Sequence, residues 1–416
     1  MRARLALLVL LPLASGAGAA EGRTLTWEDS VAEAALANPG LASSRLSVDA
    51  SRALYYSSFN GFLPSLSLSN SVAESNVARK PAWSASASAS VTLFSAGEAA
   101  SIRSASAALD SAEASLRASS AVLRAALRQT FSALLFAQVS LDTSRRIAAI
   151  RRHDAELVTL RYEAGRESKG NMLRAKAQAM QADYAVVFAE RGLRTAQRDM
   201  ARQLGREGFE AFVATGAFAS APPPARPDDF RSLLPLRTDV ALSEAALRSS
   251  KASLDRAKSV LWPSLSANYS RTRTGPTEFP SARTGWSAGA SLSYALFGGG
   301  PTAAYLETKA SRLGYERVQS DLSAARQAAL SDLESAWADY AGASDQVAVQ
   351  SALLEAARQR NDEADIRYGS GLLSFDNWEV IVSDRVSTER NALSASRAAM
   401  DAETAWHRAL GRALGE

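Results

Sequence analysis

The sequence predicts a mainly α-helical protein that also carries strands of a membrane β-barrel. Three observations lead there: a duplication that writes the chain twice, two proline-free helical runs with apolar residues at seven-residue spacing, and paired segments in which apolar residues alternate with serine. The composition agrees. Of 416 residues, 47% are hydrophobic but only 7% aromatic, so few bulky side chains serve a long chain, as in extended helices packed through Ala and Ser. The net charge is +4 from 47 basic and 43 acidic residues, interspersed without a polybasic run, which speaks against a nucleic-acid partner. Cysteine is absent, which removes disulfides, thiol nucleophiles and Cys-ligated zinc.

Residues 1–20 read as a secretory signal peptide. Arg2 and Arg4 precede the apolar run Leu5 to Leu13, and small residues follow up to Ala19 and Ala20. That run is too short to cross a bilayer, which takes roughly 20 residues, and no later stretch reaches that length. Repeat 1 is expected over 21–221, a Pro-rich linker over 222–228, and repeat 2 over 229–416. Pro222, Pro223 and Pro224 fix φ and lack N–H donors, which suits a linker.

The duplication rests on matches that recur in order. Asn38-Pro39 before Phe62-Leu63-Pro64-Ser65-Leu66-Ser67 corresponds to Thr238-Asp239 before Leu261-Trp262-Pro263-Ser264-Leu265-Ser266. Val91-Thr92-Leu93-Phe94 corresponds to Tyr294-Ala295-Leu296-Phe297, and Arg161-Tyr162-x-x-Gly165-x-x-Ser168-x-x-Asn171 to Arg367-Tyr368-x-x-Gly371-x-x-Ser374-x-x-Asn377. Both halves close on Leu-Gly, at 204–205 and 410–411.

Each unit reads as helix, β-hairpin, long helix, tight turn and returning helix. In repeat 1 the first helix is expected from about Trp27 to Phe59, stopping before Pro64. The hairpins are expected at about 65–94 and 264–297, with Leu66, Leu68, Val72, Trp83, Ala85, Val91 and Leu93 alternating against serines. A period of two over so many residues is a strand signal. Strands of 9–11 tilted residues suit a transmembrane barrel, with the apolar face to lipid and the Ser face to water. Phe62, Phe94, Trp262 and Phe297 on one side, with Trp83 and Trp286 on the other, fit the two interfacial aromatic girdles.

The long helices follow. Ile102, Leu109, Leu116 and Leu123 recur every seven residues in a run from Ala99 to Arg161, and Leu306, Leu313, Leu322, Leu330 and Leu333 mark a second run from Ala303 to Tyr368. Such spacing asks for coiled-coil packing. Gly165 and Gly371 are expected to reverse the chain as left-handed helix caps, with Ser168 and Ser374 capping the returning helices.

Two hairpins supply four strands per chain, and four cannot close a barrel when the smallest bacterial ones have eight. Unpaired edges in lipid cost several kcal/mol for each orphaned group. Oligomerisation is therefore expected, and a water-filled, Ser-lined interior favours three copies and twelve strands.

These duplicated motifs resemble those of the TolC-type outer-membrane efflux and secretion ducts, from about Leu25 to Gly411. The resemblance implies a homotrimer in outer-membrane lipid, with a twelve-stranded barrel and a helical tunnel in the periplasm. It further implies an exit duct of a tripartite efflux pump or type I secretion system, docked to a periplasmic adaptor and an inner-membrane transporter. By position, Gly165, Arg166 and Ser168 with Gly371, Leu372 and Ser374 would face the adaptor. The segments 168–171 and 374–380 would line the periplasmic entrance, where family members often carry aspartates. Here the matching positions hold Asn171, Asn377 and Val380, with Asp376 and Glu379 the nearby carboxylates. Tyr368 matches a tyrosine that latches the closed tip in some members, and a core aromatic is an equal reading. Phe209 to Thr215 is expected to supply one strand of an equatorial belt.

No catalytic constellation, cofactor motif or metal-ligand cluster stands out. The two histidines, His153 and His407, lie on predicted helices among charged neighbours, and no Gly-x-Ser-x-Gly or phosphate-cradling loop occurs. The alternative to a duct is an exported periplasmic coiled-coil scaffold. It accounts for the seven-residue spacing and the leader but not for paired Ser/Ala strands of bilayer length.

Overall fold

The computed structural model describes residues 23–74, 82–278, 280, 283–294 and 302–414. The leader and Phe297 lie outside the described residues. In chain order the elements are β1 (Arg23–Leu25), α1 (Trp27–Ala37), α2 (Pro39–Ser57), β2 (Ser65–Ala73), β3 (Ala82–Ser95), α3 (Ala96–Glu163) and α4 (Lys169–Gln203). There follow β4 (Phe212–Ala214), α5 (Thr238–Ser259), β5 (Ser264–Gly275), β6 (Arg283–Ser293), α6 (Ala303–Gly369) and α7 (Phe375–Ala409). Helix, hairpin, long helix and returning helix thus occur twice. Among the described residues, no helix is long and apolar enough to cross a membrane.

The first helix is not continuous, contrary to the expectation of one run from Trp27 to Phe59. It breaks at Asn38, which ends α1 and caps α2, its side chain accepting from the N–H groups of Gly40 (3.0 Å) and Leu41 (3.2 Å). Pro39 explains the break, since it has no N–H to give and its ring excludes the preceding turn. Helix α1 begins on a capping box, Thr26 with Asp29.

The four long strands form one antiparallel sheet in the order β2-β3-β5-β6, so both hairpins lie side by side and β2 and β6 are its edges. One face is a ladder of serines. Ser65 pairs with Ser90 and Ser69 with Ser86 (2.7 Å each), while Ser266–Ser291 and Ser270–Ser287 meet at 2.9 Å. The other face carries Leu66, Leu68, the alanines of β3, Leu265, Trp286 and Leu292. Strict alternation would put Leu93 on this apolar face. Instead the register shifts between Thr92 and Phe94, so Phe94 lies across from Leu265. A bulge of this kind inserts one residue and re-aims those after it.

Helices α3 and α6 run for 68 and 67 residues, about 100 Å each at 1.5 Å per residue. The seven-residue seam of α3 exists, but alanines occupy it. Ala100, Ala107, Ala114 and Ala121 are buried, while Ile102, Leu109, Leu116 and Leu123 are only partly so. Helix α5 carries Ala245 and Ala252 at the same interval, and the ion pairs Arg103–Asp255 (3.1 Å) and Arg248–Asp110 (2.9 Å) set the register of the two helices. A methyl group at the contact allows close approach and leaves the leucines to flank it. In α6, Leu322 and Leu333 are buried as expected, whereas Leu306 and Leu313 are exposed.

The largest core cluster lies midway along the helices, around Leu127, Phe131, Leu134, Met200, Leu204 and Phe212. Within it β4 pairs in parallel with β1, a partner the sequence reading missed. Gln138 holds the β4 strand by accepting from Ala214 N–H (2.8 Å) and donating to its carbonyl (3.1 Å). Tyr340 Oη and Trp337 Nε1 donate to the carbonyls of Ala221 (2.7 Å) and Pro224 (3.0 Å), pinning the proline-rich segment to α6.

Each returning helix ends by docking on the start of its own unit's shorter helix. Asn38 Nδ2 donates to the carbonyl of Gln203 (3.1 Å), and Arg237, at the same place before α5, donates to that of Ala409 (3.3 Å). Gly205 and Gly411 make this approach possible. Their φ values are +77° and +71°, and a Cβ on either would sit 2.4 Å from a backbone oxygen, that of Ala37 or Leu236. Gly205→Ala and Gly411→Ala are therefore each expected to destabilise by about 2 kcal/mol or more. Gly208→Ala, where nothing lies within 4 Å, should change little. Apparent melting temperatures of the three variants in detergent check this.

Candidate functional site

The two hairpin tips are built alike. After α3, the N–H of Gly165 donates to the carbonyl of Tyr162 (2.9 Å) and that of Arg166 to Arg161 (2.8 Å). After α6, Gly371 donates to Tyr368 (3.0 Å) and Leu372 to Arg367 (2.9 Å). Both are Schellman motifs with a left-handed Gly at φ +71° and +78°. Gly165, Arg166, Gly371 and Leu372 are exposed, and nothing lies within 4 Å of where a Cβ would stand on either glycine. Ser168 caps α4 as expected, accepting from Asn171 N–H (3.1 Å). Ser374 differs: it occupies the cap position of α7, but its side chain makes no capping hydrogen bond. Packing holds that first turn instead, through the buried Phe375 and Trp378.

The residues expected around the entrance separate into two groups. Asp376 and Asn377 are exposed, with Asp376 lying 3.9 Å from Arg174. Tyr368 and Glu379 are buried between the two hairpins, and Asn171 is half-buried. Glu379 therefore cannot supply an open acidic lining. Arg151 Nη1 donates to it at 3.1 Å, Gln178 Nε2 at 2.6 Å and Ser383 Oγ at 2.7 Å, so its charge is neutralised inside the bundle.

Tyr368 joins the hairpins. Its ring stacks on Trp378 (centroids 4.4 Å apart, planes at 8°), and the Arg161 guanidinium lies 4.4 Å from the ring centre. Arg161 also donates to the Tyr368 carbonyl, and Tyr368 Oη donates to Glu167 Oε2 at 3.0 Å. Trp378 Nε1 in turn donates to Asp365 (2.7 Å). Arg161 and Glu167 come from the first hairpin, Tyr368 and Trp378 from the second. An intraprotomer clasp between the tips results.

Its ionisation follows from these contacts. Burial works to raise the Glu167 carboxyl, but bonds from Asn171, Ser168 N–H and Tyr368, with the Arg161 charge, hold it below the usual carboxylate range. Burial, then the bond to Glu167, pushes the Tyr368 phenol well above its ordinary value. The Glu167 contribution is thus present above the unfolded carboxylate pKa and is lost as pH falls through the lower folded value.

Asp154 behaves in the opposite way. Burial pushes it up to about 7 despite Arg151, with Asp365 and Glu379 adding repulsion, and its Oδ2 has no hydrogen-bond partner. Sequence reasoning missed this cluster because Glu379 lies 228 residues from Arg151 and 201 from Gln178 and shares no local spacing with either. Among the described residues, no group of acidic or histidine side chains could hold a metal ion. A folded carboxyl held protonated up to pH 7 loses stability as pH rises from its unfolded value through 7. Asp154→Asn should accordingly raise the apparent melting temperature by a few °C at pH 8 and by less than half as much at pH 5, nearer the unfolded value of 3.8.

Comparison with known proteins agrees with this architecture. The outer-membrane channel OprN superposes with a TM-score of 0.80 at 20% identity, over 93% of this chain and 90% of OprN. CusC, described as forming a transmembrane channel, gives 0.84 at 17% identity over 98% of both chains. The open-state MtrE outer-membrane channel of Neisseria gonorrhoeae gives 0.79 at 19% identity, over 93% of this chain and 89% of MtrE. No curated protein matches in sequence. The family profile described as outer membrane efflux protein matches residues 31–206 and 231–412, one segment in each repeat. The chain belongs to the outer membrane efflux protein family, outer-membrane channels with a helical tunnel in the periplasm.

Proposed function

We propose that three copies of this chain pool their strands into a twelve-stranded barrel and their helices into a tunnel. The assembly is a passive exit duct that carries substrate from a periplasmic adaptor and inner-membrane transporter to the exterior. The observation that carries this reading is the sheet itself, four strands edged by β2 and β6 with no partner for either outer edge among the described residues. Backbone groups on such edges have to pair in lipid. Exposed apolar residues on the helices support it as well. Tyr184 and Phe188 on α4 are 62% and 64% exposed, and Leu306 and Leu313 are 55% exposed each. Apolar surface left this open on one chain is suited to burial against its neighbours.

The open hairpin tips support the docking role. Gly165, Arg166 and Ser168 with Gly371, Leu372 and Ser374 are exposed at the two helix-hairpin turns, and Leu372 is 81% exposed. An efflux system is favoured over type I secretion by the family description. The segments around Asn171 and Asn377 carry the entrance, with Asp376 as its exposed carboxylate.

Two measurements test the reading. Protein extracted from outer membranes is expected to run as a trimer unheated and as a monomer after boiling, and a detergent-solubilised monomer would refute the assembly. Gly165→Arg combined with Gly371→Arg should abolish export while trimers persist, because both sites open into free space and the left-handed φ costs only about 1–2 kcal/mol at each. Normal export from the double variant would refute docking through the tips.

A further inference from the structure

The apolar face of the sheet carries two charges. Arg271 and Arg273 lie on β5 in the same alternation as Leu265, and both are exposed. Neither has an ion-pair or hydrogen-bond partner among the described residues, including Glu74 and Glu278 at the same end of the sheet. Their height follows from the strand. Seven to nine residues above Ser264, a tilted strand has climbed roughly 18–23 Å of an apolar band about 25 Å tall. Trp286 is the direct partner of Arg271, and Trp83 pairs with Gly275 just above Arg273, so the arginines stand level with an aromatic girdle. That is just beneath the headgroups of the outer leaflet, where the backbone still borders acyl chains and a guanidinium snorkels to the headgroups at little cost.

Beside them lies a trough. Across from the arginines β3 offers only Ala85 and Ala87, while Leu68 and Asn70 rise on β2. These six residues line a groove of about 460 Å³ with an alanine floor and one cationic wall. The arginines sit on an inner strand flanked by β3 and β6, so joining the β2 and β6 edges to other copies leaves the groove facing lipid.

We propose that this groove binds the phosphorylated glycolipid of the outer leaflet, lipid A. One acyl chain lies along Ala85 and Ala87, and a phosphate is held by Arg271 and Arg273. The planar forks of two guanidiniums with no partner among the described residues suit a phosphate, and the alanine floor suits hydrocarbon. The proposal rests on the apolar face of the barrel meeting lipid.

Native mass spectrometry of the purified channel in dodecyl maltoside, titrated with lipid A, provides the test. Wild type is expected to retain lipid A, R271Q/R273Q to bind at least tenfold more weakly, and R271K/R273K to keep most of the binding. Ala87→Phe fills the trough with both charges in place and should also weaken it. Undiminished binding by R271Q/R273Q, equal retention of dephosphorylated lipid A, or equal retention of phosphatidylglycerol would each overturn the proposal. Outer-membrane fractionation of the same proteins keeps the two readings apart. Inserted wild-type channel without lipid A loses only the site, whereas failure to insert removes the barrel.

Discussion

A β-strand edge in hydrocarbon has no water to satisfy its N–H and C=O groups, and the rest of this molecule is arranged around that constraint. Within the chain, duplication meets it halfway. Placing the two hairpins side by side pairs β3 with β5 across the repeats and reduces four edges to two, on β2 and β6. The outward leucines and tryptophans and the mutually bonded serines of the other face then follow the two-residue alternation of the strands. The bulge after Thr92 acts at the end nearest the helices, where it turns Phe94 to the apolar face.

The helical part obeys a different rule, that of close approach. Alanines at seven-residue spacing in α3 and matching alanines in α5 let long helices lie against each other, and ion pairs along the flanks fix their register. At mid-length the chain turns back on itself twice in the same manner. A helix-ending Leu-Gly meets a helix-starting Asn38 or Arg237, with no room for even a methyl group. The tips depart from this symmetry. Arg161-Tyr162 and Arg367-Tyr368 are the same motif, yet the structure uses the arginine of the first copy and the tyrosine of the second in one buried stack.

Much of this was legible in the residues. The duplication, the serine strands, the lengths of α3 and α6 and the glycine tips all rest on local spacing, which a sequence displays directly. The break at Asn38 was signalled by Pro39 but hidden by the apolar pattern running through it. The alanine seam was overlooked because leucines two positions away repeat at the same interval and look like the better core. At the tips, the exposed turns were legible and the chemistry behind them was not. Glu379 looked like a lining carboxylate by position, whereas its burial depends on Arg151 and Gln178 from the other repeat. Contacts spanning 200 residues leave no mark in local periodicity.

The alanine seam has a last consequence. Where Cβ is the only atom between two helices, the distance between their axes is set by the smallest side chains in the protein. In the helical tunnel of this family that distance bears on the circumference, so Ala107, Ala114 and Ala121 help to set its calibre from within the wall.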